Sequence, residues 1–374
     1  MLSILIVFFA GQALAIWNLN DVSILLPLPR GSAEDALLWS PVTEGGQGPL
    51  LPPSLYKILP RISSDLDAQT LYTKALKVVS IRLDPCFAEG PAARACQRQV
   101  RVVMQPLVLE SGQWTTLDAA LHVFYALSDR EWMELVTKLR PADGRSLTMG
   151  LPLQVHPAIA REGLQGPAWK NLSGALLPFL GARKIVRATA MSVNPLGTFW
   201  FFSGINASNG QWSRLKIPRV PEETQGFFTD PGAMGQDVIR AAMNPSPDSE
   251  PGLRRILFNS VQARQDMTAE ELQSGTREAL HLLNPRRHNT GTADCVSCHV
   301  APTVSFWSAR QFPTWNWQQL FSKDAYPPRG PSANTTLQPG RAQVLRAFGY
   351  FDRDPIISPR TVNESLEVLR QMPR

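Results

Sequence analysis

The sequence contains 374 residues, of which 44% are hydrophobic and 18% are charged, with 25 Gly and 32 Pro. This profile excludes wholesale disorder, a collagen-like repeat and a coiled coil, and the length is sufficient for a large hydrophobic core. The chain has 37 basic and 31 acidic residues, and from Arg254 to Arg374 there are 15 basic against 10 acidic ones. A basic C-terminal part predicts an acidic partner, whereas the scattered arginines argue against nucleic acid.

The N-terminus predicts export. Residues 1–15 read MLSILIVFFAGQALA, an apolar run that ends in an Ala-Leu-Ala triplet. This pattern is typical of a secretory signal peptide, and we expect cleavage after Ala15. The segment contains no Lys or Arg, so a retained N-terminal anchor is the alternative. We expect no membrane span in the mature chain, because the longest other uncharged run, 188–213, is interrupted by Asn, Pro and Gly.

Two alternating segments predict paired strands. Residues 76–83 (LKVVSIRL) and 98–104 (RQVRVVM) each place apolar side chains on one face with a period of two. Cys86 and Cys96 lie between them. In an oxidising compartment, we expect a Cys86–Cys96 disulfide across the hairpin loop.

The following segments complete an α+β body that we assign to residues 16–255. Residues 115–140 predict helices, including the segment TLDAALHVFYAL and a second segment that opens at Ser128. Residues 187–217 predict a three-stranded antiparallel meander, with turns at Asn194–Gly197 and Asn206–Gly210.

Residues 256–374 predict a helix- and loop-rich C-terminal lobe. Thr268 and Glu271 form a capping-box pattern that opens one helix, and Ser358-Pro359 opens the last one. The remaining motif of this lobe contains chemically reactive side chains.

Residues 295–299 read Cys-Val-Ser-Cys-His, which is the CxxCH pattern of covalent haem attachment. Attachment requires two thiols that add to the two vinyl groups of a porphyrin and an imidazole that ligates the iron. On a helix, Cys298 and His299 follow Cys295 at i+3 and i+4, so the three side chains point to one side.

The motif resembles the haem site of a c-type cytochrome. The resemblance implies one covalent haem c, thioethers at Cys295 and Cys298, and His299 as the proximal iron ligand. It further implies electron transfer. With the basic C-terminal part and the signal-peptide pattern, we expect an acidic redox partner and a location in the periplasm or outside the cell. The chain departs from small class I cytochromes, in which a Met ligand precedes the last helix, because the one Met after the motif is Met372.

The sixth iron ligand is therefore open. His288 lies in the segment just before the motif and is one candidate, and Met243 and Met267 are others. An open or water-filled position is an equal alternative. His122 and His156 belong to the N-terminal body, where we expect packing or surface roles.

Two further features fit a haem environment. Six aromatic residues occur between Phe306 and Phe321, which predicts either an apolar haem envelope or a plain aromatic core. Arg286, Arg287 and Arg310 are candidates for pairing with haem propionates, with a solvated basic face as the alternative.

Other classes of function compete with an electron-transferring haem protein. A haem enzyme with an open sixth position would bind peroxide or a small ligand. The CxxC pair could instead carry out thiol redox chemistry, although no βαβ setting surrounds it. A zinc site lacks a fourth ligand nearby. A disulfide-stabilised structural protein of the cell envelope is the last alternative.

Overall fold

The computed structural model describes residues 17–59, 62, 66–87, 97–140, 151–194, 196–208, 211–233, 237–248, 250–317, 319–320, 345 and 347–373. The predicted signal peptide, 1–15, lies outside these residues, as do Cys96 and the side chain of Cys86. The signal peptide and the Cys86–Cys96 disulfide stay predictions.

The strands are, in chain order, β1 (Ser23–Leu25), β2 (Glu44–Gly45), β3 (Gly48–Pro49), β4 (Leu76–Phe87), β5 (Gln97–Glu110), β6 (Gln113–Thr116), β7 (Ala120–Leu127), β8 (Ile185–Val193), β9 (Phe199–Ser208), β10 (Gln211–Arg214), β11 (Thr224–Thr229), β12 (Ala241–Asn244), β13 (Phe348–Phe351) and β14 (Asp354–Ile357).

The helices are α1 (Leu19–Val22), α2 (Ser32–Asp35), α3 (Ala68–Thr70), α4 (Asp129–Leu139), α5 (Pro157–Glu162), α6 (Pro167–Leu176), α7 (Pro251–Phe258), α8 (Ser260–Asp266), α9 (Ala269–Leu282), α10 (Cys295–Gln311) and α11 (Pro359–Gln371). Short 3₁₀ turns cover Pro53–Leu55, Leu177–Phe179, Ala182–Lys184 and Pro231–Ala233, and a π turn covers Leu71–Ala75.

One large antiparallel sheet organises the protein. Its strand order is β1-β4-β5-β7-β8-β9-β11-β12, with β6 added to β5 and β10 added to β9. Most neighbours in the sheet are also neighbours in sequence, because short turns join antiparallel strands. With the helices that follow β12, this sheet confirms the predicted α+β class.

The predicted strands at 76–83 and 98–104 are confirmed as parts of β4 and β5, which pair with each other. The predicted meander is confirmed as β8, β9 and β10. The helix at 129–139 is confirmed as well, with a capping box between Ser128 and Glu131.

The helix predicted for the segment before Ser128 is wrong, because residues 120–127 form strand β7. Leu121, Val123 and Tyr125 are completely buried on one face of this strand, while His122 alternates with them on the other. Both faces of β7 are covered and both its edges are paired, with β5 and β8. A strand in such an environment reads as a continuous apolar run, which local periodicity cannot distinguish from a buried helix.

The C-terminal helices pack on both ends of the sheet. Side chains of α7 to α10 share a hydrophobic core with Met191, Trp200, Phe202 and Phe227 of the sheet. Helix α11 returns to the other end, where Val362 and Val368 join the core of β4, β5 and β7. The last helix therefore packs against strands from the first half of the chain.

Hydrogen bonds fix this return of the chain. The hydroxyls of Ser23 and Ser365 lie 2.6 Å apart in the interior, and the Trp17 indole donates to the Pro373 carbonyl at 3.1 Å. Among the described residues, no helix combines the length and the apolar character that crossing a bilayer requires.

Because one face of β7 is buried, we expect that truncating a side chain on this face lowers the stability of the protein substantially. Leu121→Ala should lower the free energy of unfolding by about 2–5 kcal/mol, because it leaves a cavity in a close-packed core. Urea unfolding followed by fluorescence measures the change. Leu196→Ala is the matched control, since Leu196 is 79% exposed and should change stability by less than about 0.5 kcal/mol. Equal effects of the two substitutions would contradict the placement of β7.

Candidate functional site

The CxxCH residues occupy the first turns of helix α10, which is anchored to the sheet through its N-cap. The buried Asp294 carboxylate accepts from the Ser297 amide at 2.9 Å and from the Gln225 side-chain amide at 2.7 Å. The side-chain oxygen of Gln225, on β11, accepts from the Val296 amide at 2.9 Å. Two otherwise unpaired amides of the first turn are thus satisfied, and the helix start is fixed to β11.

The two faces of α10 have different environments. Val296, Val300 and Val304 are buried in the core shared with α9. Cys295, Cys298 and His299 lie on another face and are only half-buried, because that face borders a cavity. The i, i+3, i+4 spacing of the motif therefore brings its three chemical groups to one cavity wall.

The cavity lies between α10 and the face of the large sheet. Its volume is about 140 Å³, which is below the about 300–1,000 Å³ of typical ligand pockets. Its walls come from β4, β5, β7, β8 and β9, from the segments before α10 and around β13, and from α11. Apart from the motif, the lining includes Val103, Ala120, Met191, Phe124, Phe202 and Phe348 as apolar or aromatic groups and Arg82, Arg101, Arg187, His122, Arg360 and Glu364 as polar ones.

The orientation of His299 leaves one ring nitrogen available. Its Nδ1 is hydrogen-bonded to the Leu345 carbonyl oxygen. Because a carbonyl only accepts, Nδ1 must carry the proton, so Nε2 of the neutral ring keeps a lone pair. Metal-bound histidines are commonly held in this way by a backbone carbonyl. Burial lowers the pKa of His299, which favours the neutral ring, and the Phe202 ring packs at 5.0 Å between centroids.

The two thiols are free, and their environment disfavours ionisation. Burial and the neighbouring Asp294 raise the pKa of Cys295 to about 12, and burial raises the pKa of Cys298. Redox-active CxxC pairs instead have a thiolate stabilised at low pKa. Within the described parts of the chain, no three His, Cys, Asp or Glu side chains form a metal-binding group.

A buried charge cluster forms the wall beside α11. Arg82 of β4 contacts Asp84 at 3.4 Å and also pairs with Glu364, and Glu364 accepts from Arg360 at 2.7 Å. Arg101 of β5 lies 3.5 Å from Asp84. Burial would raise the pKa of Glu364, but the three arginines hold it far below its usual range.

The wall beside α11 is rich in guanidinium groups. Three buried arginines, Arg82, Arg101 and Arg360, face two carboxylates, Asp84 and Glu364. Strand register aligns Arg82, Arg101, Phe124 and Arg187 in one row, so Arg187 adds a fourth guanidinium to the cavity wall. Guanidinium groups bind carboxylates and phosphates well, so this wall offers donors to an anionic group of a ligand.

The other residues predicted for the site lie elsewhere. His288 does not line the cavity; its carbonyl accepts from Arg360 at 2.6 Å, and its Nδ1 lies 3.4 Å from the Thr292 hydroxyl. Met243 accepts a hydrogen bond from Ser297, and Met267 is buried in the core. Met372 packs in the sheet core.

The aromatic run after the motif packs into the core of the C-terminal helices instead of lining the cavity. Phe312 stacks on Trp315 at 4.3 Å and meets Trp307 edge-on, while Phe321 lies outside the described residues. The cavity receives its aromatic rings from Phe124, Phe202 and Phe348 instead.

The arginines predicted to pair with propionates are also placed away from the cavity. Arg286 pairs with Glu367 at 3.0 Å, and Arg310 pairs with Asp237 at 3.2 Å. Neither these two nor Arg287 lines the cavity.

His122 is the cavity residue that sequence reasoning missed. It lies on β7 between Val103 of β5 and Thr189 of β8 and lines the same cavity as His299. Burial and the charge of Arg101 lower its pKa to about 3, so the ring is neutral at physiological pH. A strand prediction for 120–127 would have separated His122 from Leu121 and Val123 by alternation, but it would not have placed it opposite the motif.

Comparisons of the chain with protein-family models, with curated proteins and with solved structures find no match.

The charge cluster predicts a specific acid dependence of stability. The Glu364 carboxylate has a pKa below its usual value in the folded protein, so its contribution is present at neutral pH and is lost as the pH falls through that lowered pKa. Glu364→Gln should lower the free energy of unfolding at pH 7 by about 3–5 kcal/mol, because it leaves the buried arginines without that charge. It should also flatten the loss of stability below about pH 5.

Urea unfolding at pH 7 and pH 4 measures both effects. Glu367→Gln is the matched control, because Glu367 lies on the same helix but pairs with the exposed Arg286, and it should change stability by at most about 1 kcal/mol. A wild-type protein that unfolds with the same pH profile as Glu364→Gln would exclude this account of the cluster.

Proposed function

We propose that this protein binds one haem covalently, through Cys295 and Cys298, with His299 as the proximal iron ligand, and transfers electrons in the bacterial cell envelope. The main support for this proposal is that the two thiols and the imidazole face one cavity from one side of α10. This is the arrangement that thioether attachment on one porphyrin edge and axial ligation beneath the iron require.

The residues of the cavity fit the group by their chemistry. His299 offers an Nε2 lone pair while its Nδ1 is held by the Leu345 carbonyl. Phe124, Phe202 and Phe348 supply an apolar wall for a planar macrocycle. Arg101 and Arg187 offer guanidinium groups, whose geometry suits the two propionate carboxylates.

When bound, a haem supplies one-electron exchange between ferrous and ferric iron. The surrounding protein sets how easily that exchange occurs. Apolar walls and nearby arginines both disfavour the additional positive charge of ferric iron, so they should raise the reduction potential. The basic C-terminal part would favour docking of an acidic redox partner.

The raised thiol pKa values speak against the competing thiol redox function. A CxxC pair that exchanges disulfides needs a thiolate at neutral pH, whereas burial and Asp294 keep Cys295 protonated. The other alternative is a haem enzyme. It would differ from an electron carrier in having no protein ligand at the sixth position of the iron.

Haem attachment is tested on the full chain expressed in a host equipped for cytochrome c maturation. The pyridine haemochrome spectrum of acid-washed protein should give one covalent haem per chain. Cys295→Ser/Cys298→Ser should abolish it. Each single Cys→Ser variant should shift the absorption band to longer wavelength, because one unreacted vinyl group stays conjugated with the ring.

His281→Ala serves as the control for His299→Ala, since His281 lies on α9 and does not line the cavity. It should keep the wild-type haem content and spectrum, whereas His299→Ala should mature poorly. A colourless wild-type protein from such a host would overturn the proposed function.

The cavity arginines predict a shift in reduction potential. Arg187→Gln should lower the potential by tens of millivolts, because it removes a positive charge from the cavity wall and so favours ferric iron. Arg286→Gln is the control, as that guanidinium is exposed and pairs with Glu367. Spectroelectrochemical titration measures both, and equal potentials for the two variants would exclude Arg187 as a haem neighbour.

A further inference from the structure

A second histidine reaches the cavity from the side of the sheet. His122 lies near the middle of β7 in the row Val103–His122–Thr189, next to the arginine row and across from the motif-bearing helix. Among the described residues, His122 and His299 are the histidines that line this cavity.

His122 also differs from the other histidines in its hydrogen bonding. His156 accepts from the Ile159 amide, His281 lies 3.8 Å from the Glu278 carboxylate, and His288 and His299 bond to Thr292 and Leu345. No hydrogen bond joins the His122 ring to any part of the chain that the structure describes. Interior polar groups normally have a partner, so this ring is suited to one that a ligand brings.

We propose that His122 is the second axial ligand of the haem iron, opposite His299. This inference rests on the proposed function. Neutral imidazole is a common iron ligand, and His122 offers one inside the cavity that the motif borders. It is carried by a strand with paired neighbours on both edges, so its backbone is held rigidly.

The alternative donor in the cavity wall is the Met191 thioether. Met191 lies in the next row of the sheet beside Phe202 and is 5% exposed, packed into the core with Trp200. His122 is half-buried and faces the cavity. Coordination by His122 would fill both axial positions and make the protein an electron carrier, whereas an enzyme that binds peroxide or a gaseous ligand needs one position open.

The test compares wild type with His122→Ala, Met191→Leu and His288→Ala, all matured as the full chain. The pyridine haemochrome spectrum first establishes covalent haem in each variant, which tests the proposed function separately from the ligand. Optical and electron paramagnetic resonance spectra of the ferric protein then report the spin state, and carbon monoxide is the probe of an open position in the ferrous protein.

We expect low-spin wild-type protein that excludes carbon monoxide, with Met191→Leu and His288→Ala unchanged. His122→Ala should become high-spin and bind carbon monoxide, and added imidazole should restore the low-spin spectrum. Because imidazole binds any vacant axial position, its rescue reports an open position, and the substitution to Met separates ligation from a structural role. If His122→Ala does not mature, His122→Met should stay low-spin and acquire the near-infrared band of a thioether ligand.

Two results would overturn the inference while leaving haem attachment intact. One is a wild-type protein that carries covalent haem but is high-spin. The other is a His122→Ala protein that stays low-spin, with the low-spin state lost in Met191→Leu or His288→Ala. Wild-type protein without covalent haem would instead remove the proposed function itself.

Discussion

The Glu364 carboxylate, buried among Arg82, Arg101 and Arg360, is the interaction on which the arrangement of the cavity depends. It joins the last helix of the chain to strands that begin near residue 76. Moving α11 away from the sheet would leave buried charges without their partners, which is costly. The ion pairs therefore hold α11 in a defined position against the sheet. The wall of the cavity beside α11 is thus set by electrostatics, while the wall formed by α10 is set by apolar packing of α10 on α9.

A second constraint acts at the start of α10. The buried Gln225 side-chain amide donates to the buried Asp294 carboxylate, and each side chain also accepts from an amide in the first turn of the helix. The motif side chains are therefore positioned relative to β11, whereas His122 is positioned by β5 and β8. A ligand between the two would connect elements that the sheet itself holds rigid, which favours electron transfer with little reorganisation.

The arginines of the cavity wall link stability to the proposed function. Burying arginines is costly unless anionic groups balance them, and Asp84 and Glu364 do so within the protein. In the proposed holoprotein, haem propionates would be further partners for guanidinium groups, and the same arginines would raise the reduction potential. Stability of the protein without cofactor and affinity for an anionic cofactor would then depend on the same residues.

The sequence by itself determined the CxxCH site, the α+β class and the strands at 76–83, 98–104 and 187–217, because these follow from local spacing and from periodicity. Only the tertiary structure decided that residues 120–127 form a strand, since its buried pattern arises from two paired neighbours and two covered faces. It likewise decided which residues surround the motif. Arg82, Arg101, His122 and Glu364 are far from the motif in sequence and meet it through strand register and the return of α11, which no local pattern encodes.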